Sequence, residues 1–242
     1  MKDCGGYNIV KKKAEHIGIV ACSAEGAALC YRTICLEGMK FMGKHSHPEI
    51  TLHSHPLSEY MRHIEVGNWD RVADLMLSSA EKVAKAEADF IICPDNTIHE
   101  AFDRVIEKSP LPWLHIAEIV VAEAMRKNYK RVGILGTRYL MEGPVYATKL
   151  AIANIEHLMP TANEREQISK IIFGQLVKSQ FTAKSRAYFT RVINRLKNRG
   201  CDAVILGCTE IPLLITQENS PLPTLDSTRL LAMAALRRAT DS

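Results

Sequence analysis

Short apolar runs alternate along this chain with stretches whose apolar residues recur at helical spacing. That is the pattern of strands and helices taking turns in a parallel sheet. "HIGIVACSAEG" (16–26) predicts a strand, a turn of small and polar residues, then a helix through about residue 38. "EITLHSH" predicts a second strand, "DRVADLMLSSAEKVAKAEA" (70–88) a helix, "DFIIC" a third strand and "HEAFDRVIEK" the helix after it. At "RVGILGTRYLMEG" (131–143) the pattern restarts with a strand, a Gly-Thr turn and a helix start. "EREQISKIIFGQLVKSQ" and "SRAYFTRVINRLKNRG" read as amphipathic helices, the second closed by Gly200 as its C-cap. "DAVILGCTEI" (202–211) is the closing strand.

The restart is a repeat. Laying Asp89 on Asp202 aligns "DFIICPDNTIH" with "DAVILGCTEI" and sets Asp95 on Cys208. Gly18 to Asp95 is 77 residues and Gly133 to Cys208 is 75. Each copy also has a hydroxyl soon after its opening strand, Ser23 in "ACS" and Thr137 in "GT". The reading is two similar α/β domains, each a doubly wound parallel sheet, related by pseudo-twofold duplication. The first takes residues 14–116 plus 222–242, the second 117–221, behind an N-terminal extension over 1–13. The final segment, from about 224, is expected to pack back on the first domain because the second half reads as complete at "GCTEI".

Composition narrows the classes. The chain has 242 residues, 47% hydrophobic and 24% charged, which is globular and ample for one large core or two small ones. The net charge is +4, with the positive residues scattered apart from "KKK" at 11–13, so no nucleic-acid surface is inferred. No apolar run approaches a membrane span, and the polar start is unlike a signal peptide, so a cytoplasmic location is expected. The seven cysteines read as thiols, with no C-x-x-C spacing. "HSHPEITLHSH" (45–55) is dense in histidine, but no acid or thiol completes a ligand set, so it reads as a strand with surface histidines and no metal is assigned. No G-x-G-x-x-G or Walker loop signals a nucleotide, and no cofactor is expected.

Ligands of open parallel sheets sit beyond the carboxyl ends of the strands. Two such domains face to face would bring Ser23, Asp95, Asn96, Thr97, Thr137, Cys208 and Thr209 to one cleft, with Asp95 and Cys208 on opposite sides of a small ligand. That arrangement can take a proton from one face of a carbon and return one to the other. Turn N–H groups and the hydroxyls of Thr97, Thr137 and Thr209, with Asn96, would hold carboxylate oxygens and an enediolate. Asn96, Thr97 and Thr209 also suit helix caps. A Cys208 thiolate is a reasonable base provided a helix N-terminus lowers its pKa. A buried inert thiol is the alternative, less suited to a place between Gly207 and Thr209 at a strand end.

The stretches "HPEITLHS", "NTIH" (96–99), "LPWLHIAE", "RVGILGTRYLMEG", the run 164–188 and "GCTEIPLL" (207–214) together resemble the aspartate/glutamate racemases, the pyridoxal-phosphate-independent amino acid racemases. The resemblance runs from Ile17 to about residue 236 and is closest to the broad-specificity amino acid racemase branch. It implies two Rossmann-like domains, a dimer, a small-molecule amino acid substrate and racemisation by two cysteines on opposite faces. Cys208 matches the second cysteine; Asn96, Thr97, Thr137 and Thr209 match carboxylate-holding residues.

Three positions depart. Asp95, preceded by Pro94, stands where the pattern has Cys, with Cys93 two residues earlier. "ACSAE" replaces a two-glycine turn, so Cys22 takes a substrate-contacting place. Leu231 in "LDSTRLLA" replaces a histidine. A carboxylate at 95 can serve as a proton-transfer group if burial raises its pKa, but it would repel a dicarboxylate. The expected activity is amino acid racemisation by Cys208 and Asp95. The alternatives are a single-thiol decarboxylase or cis-trans isomerase of carboxylates, and a non-catalytic carboxylate-binding protein.

Overall fold

The computed structural model describes residues 13–241; the expected extension therefore lies outside the described residues except for Lys13. The first half runs β1 (Ile17–Ala21), α1 (Ala24–Met42), β2 (Ile50–Ser54), α2 (Leu57–Ile64), α3 (Trp69–Lys85) and β3 (Phe90–Ile92). A 3-10 turn (Thr97–Ala101) then leads into α4 (Phe102–Ile106), β4 (Trp113–Leu114) and α5 (Ile116–Arg126). The second half runs β5 (Arg131–Leu135), α6 (Arg138–Glu142), α7 (Pro144–Ile152), β6 (Glu156–Leu158) and α8 (Ala162–Gly174). It continues through a 3-10 turn (Leu176–Lys178) to α9 (Ala183–Asn198), β7 (Ala203–Leu206), α10 (Ile211–Leu214), β8 (Thr224–Asp226) and α11 (Ser227–Asp241). Gly200 follows α9 with φ of +88°, in keeping with its predicted capping place.

Two four-stranded parallel sheets result, ordered β2-β1-β3-β4 and β6-β5-β7-β8. The second order is the first with four added to each strand, as duplication requires. The repeat extends to hydrogen bonds. The Asp89 carboxylate accepts from the His16 N–H at 2.6 Å, and the Asp202 carboxylate from the Lys130 N–H at 2.7 Å, each aspartate tying its strand to the start of the neighbouring one. The tetrapeptide "SPLP" occurs at 109–112 and again at 220–223. In each copy the serine hydroxyl donates to the carbonyl two residues on, and the second proline carbonyl accepts from the neighbouring strand (Pro112 from the Ile91 N–H, Pro223 from Val204).

That second "SPLP" corrects the expected boundary. The second half is not complete at "GCTEI": β8 pairs with β7 through Val204↔Thr224 and Leu206↔Asp226, so 224–226 is the fourth strand of the second sheet. The return to the first half begins with α11, whose Leu231, Ala232, Ala235 and Leu236 are buried with Ile17, Ile19, Phe90 and Ile92. In the same way α5, after β4, leaves its own sheet, and Ala117, Val120 and Ala124 join the core of Val132, Leu135 and Leu225. Each half thus lends its last helix to the other. No helix among the described residues is long and apolar enough to cross a membrane.

"EITLHSH" forms edge strand β2 as expected. His53 and His55 are hydrogen-bonded to Ser79 and Ser78 of α3, and no metal-binding cluster occurs among the described residues.

Candidate active site

Four central strands, β1, β3, β5 and β7, end at the same seam between the halves. Cys22 and Ser23 follow β1, and Asp95, Asn96 and Thr97 follow β3. Thr137 follows β5 across Gly136, and Cys208 and Thr209 follow β7 across Gly207. All eight of these residues line one pocket. Cys93 does not line it; it is fully buried in the core, with its Sγ 3.9 Å from the Asp95 carbonyl.

Hydrogen bonds join the halves across the seam. The Thr209 hydroxyl donates to Glu210 Oε2 at 3.0 Å, so the 3.1 Å contact between Ser23 and Thr209 is donated by Ser23. Glu210 Oε2 also accepts from the Cys208 thiol at 2.9 Å. The result is a directional chain from Ser23 through Thr209 to a carboxylate that also holds Cys208. Glu210 Oε1 is buried with no hydrogen-bond partner among the described residues. Thr97 and Thr137 meet hydroxyl to hydroxyl at 3.0 Å. Asn96 Nδ2 donates to Ser227 Oγ at 3.0 Å, and its Oδ1 accepts from the Tyr146 hydroxyl at 2.7 Å. Ser227 Oγ in turn donates to the Leu206 carbonyl at 2.8 Å.

Several of these groups also shape the turns. Ser23 caps α1 by accepting from the Gly26 N–H, and Thr137 caps α6 by accepting from the Leu140 N–H. Asn96 makes no capping bond with its side chain. Asp95 does that work, its Oδ1 accepting from the Ile98 N–H at 3.3 Å. Below it, His99 Nδ1 donates to the Asp95 carbonyl at 2.6 Å while its Nε2 accepts from the Ile116 N–H at 3.4 Å, which fixes the tautomer and the loop.

Asp95 is pushed up to about 6, first by burial and then by the charge of Glu210, against the Ile98 N–H and the Cys22 thiol, which favour the carboxylate. Burial and the Glu210 carboxylate raise Cys208 well above the ordinary thiol value. The expectation that a helix N-terminus would lower it is therefore corrected: α10 has only four residues, and a carboxylate stands between its first turn and the sulfur. Cys22 is likewise raised by burial and by Asp95, with which it is hydrogen-bonded. Cys208 and Cys22 are thus held as thiols, each beside a carboxylate.

Three participants went unread in the sequence. Glu210 was visible as the acid of "GCTEI", a charge inside a buried run. Tyr146 and Ser227 hold Asn96 from 50 and 131 residues away, which no local pattern signals. The far side of the pocket is apolar: Leu57, Met61 and Ile64 from α2, with Tyr139, Phe173 and Val177 from the second half.

The Asp/Glu/Hydantoin racemase family model matches residues 18–235. A crystal structure of a candidate Asp/Glu racemase from Yersinia pestis is 30% identical, with a TM-score of 0.84 over 93% of this chain and 99% of that one. An aspartate racemase homologue from Pyrococcus horikoshii is 25% identical, with a TM-score of 0.80 over 93% and 99%. The broad specificity amino-acid racemase RacX of Bacillus subtilis is 22% identical over 69% of this chain and 72% of its own length. With the fold, the seam and the paired strand-end groups in place, this chain belongs to the Asp/Glu/Hydantoin racemase family.

Proposed function

We propose that this protein racemises an amino acid without a cofactor, with Cys208 and Asp95 moving protons on opposite faces of Cα. The observation that carries the reading is that the two repeat-equivalent residues, one from each half, line a single pocket. The likeness to a broad-specificity amino-acid racemase supports an amino acid as substrate. Thr97 and Thr137, already paired across the seam, with the turn N–H groups around them, would hold the α-carboxylate and the charge that develops on it.

The proton inventory gives the cycle. With Asp95 near 6 and Cys208 held as a thiol, the form ready at neutral pH is Asp95 carboxylate plus Cys208–SH. Asp95 takes the Cα proton of one enantiomer while the Cys208 S–H proton passes to the other face, leaving thiolate and carboxylic acid. That product form is the one that turns the other enantiomer. Glu210, bonded to both the Cys208 thiol and the Thr209 hydroxyl, sets how readily the sulfur gives up its proton.

A second reading rests on Cys22. It lines the same pocket and is hydrogen-bonded to Asp95, so a thiol is within one hydrogen bond of the carboxylate. In that reading Cys22 carries the proton on the first half's side and Asp95 is only its hydrogen-bond partner.

Proton NMR in heavy water decides. Cα–H loss from both enantiomers, abolished in Cys208→Ala and in Asp95→Asn but kept in Cys22→Ala, is the expected result. Loss in Cys22→Ala with retention in Asp95→Asn would transfer the role to Cys22. Exchange from one enantiomer only, in the wild type, would remove the two-face mechanism.

A further inference from the structure

The pocket has two unlike ends. One carries the proton-transfer groups and hydroxyls. The other is the apolar wall, in which Leu57, Met61 and Ile64 recur at i, i+4, i+7 and so present one face of α2 to Tyr139, Phe173 and Val177. No lysine, arginine or histidine is among the residues lining the pocket, whereas two acids, Asp95 and Glu210, are.

Two cations line a neighbouring hollow that shares part of that wall. Arg138 and Lys170 line a separate surface hollow that shares only Met61, Tyr139 and Phe173 with the pocket. The exposed Arg138 guanidinium sits 5.4 Å from the Tyr139 ring centroid, and Lys170 is paired with Glu166 at 2.7 Å. Neither lines the pocket itself.

Resting on the racemase reading above, we propose that the substrate is a monocarboxylic α-amino acid with a medium or large apolar side chain, and that the α2 wall sets this choice. At the hydroxyl-lined end, Thr97 and Thr137 with the turn N–H groups would hold the α-carboxylate. The second carboxylate of aspartate or glutamate would be buried against leucine, methionine and phenylalanine, with no cation to pair it and two acids in the same pocket. An aliphatic or aromatic side chain would gain from the same burial.

The test separates this inference from the reaction itself. Racemisation is measured for both enantiomers of leucine, methionine, phenylalanine, alanine, aspartate, glutamate and lysine. In parallel, binding of L-leucine and L-aspartate to Cys208→Ala is measured by calorimetry. The expected kcat/KM for leucine, methionine or phenylalanine exceeds that for aspartate by about a hundredfold or more, and alanine falls below leucine by about tenfold. Leucine should also bind the variant more tightly than aspartate. Preference for leucine in binding without any turnover would support the inference and sink the racemase reading. Aspartate, glutamate or lysine as the best substrate, or aspartate binding as well as leucine, would overturn it. Met61→Arg should invert the leucine-to-glutamate ratio; Leu57→Arg, also at a partly exposed position, serves if the first variant does not fold. A folded variant that leaves the ratio unmoved would overturn the role of the wall.

Discussion

At the scale of single residues, the proposed mechanism turns on where one proton sits between Asp95 and Cys208. The two transfers need exactly one proton on the pair, so activity is lost when both are protonated and when neither is. The acid limb of kcat/KM should lie near pH 6, set by the raised Asp95, and activity should hold up to and beyond pH 9 because Cys208 is raised above its ordinary 9.0. The same limb should appear in both directions of turnover. A basic limb below pH 8 in the measured profiles would contradict this proton inventory. Asp95 also affects stability. Its folded value is raised, so its contribution is present below the usual carboxylate range and is lost as pH rises through about 6. Asp95→Asn can keep the bond from the Ile98 N–H while removing the charge. It should therefore stabilise the protein by on the order of 1–2 kcal/mol at pH 7.5, an amount discounted for partial exposure, and by little at pH 4. Melting curves of both proteins at the two pH values check this.

At the scale of elements, the site depends on how closely the first turn of α1 approaches the second half. A Cβ placed on Gly26 would come within 2.4 Å of the Thr209 side chain, whose hydroxyl bonds both Ser23 and Glu210. There is no room for the added carbon without displacing one half against the other. Gly26→Ala should cost about 1–3 kcal/mol in stability and lower kcat at least about tenfold by moving Thr209 and Glu210, with KM less affected. Chemical denaturation and steady-state kinetics on the same preparation read both effects. Unchanged kinetics would mean that this contact does not set the site's geometry.

At the scale of the whole molecule, the halves are interlocked by their exchanged helices. α11 covers the first sheet and α5 the second, and the two helices also pack on each other. Leu231, where the family resemblance suggested a histidine, is fully buried among Ile17, Phe90 and Ala232. It is a core residue of the returning helix. Leu231→Ala should cost about 2–5 kcal/mol. Because the strand-end turns of both halves form the pocket, the loss should appear as one unfolding transition shared by fluorescence and activity. Two separated transitions would show that the halves unfold independently.

Much of this was determined by the sequence alone, because local pattern carries it. The alternation of strands and helices, the duplication read from Asp89 on Asp202, the Gly-flanked strand ends and seven of the pocket-lining residues follow from periodicity and repeat spacing, since a strand's carboxyl end is a local event, while Cys22 was pointed to by the family resemblance alone. Tertiary structure decided what depends on distant neighbours. A three-residue strand such as β8 has too few positions to show a period, and only its register on β7 makes it the fourth strand of the second sheet. The spacing of Leu57, Met61 and Ile64 marks an apolar face on α2, but only packing turns Leu57 and Met61 toward the pocket. The direction of the Cys208 shift was likewise set in three dimensions: burial and the Glu210 carboxylate outweigh the weak dipole of a four-residue helix, because desolvation and a charge in contact act more strongly than partial charges at a helix end.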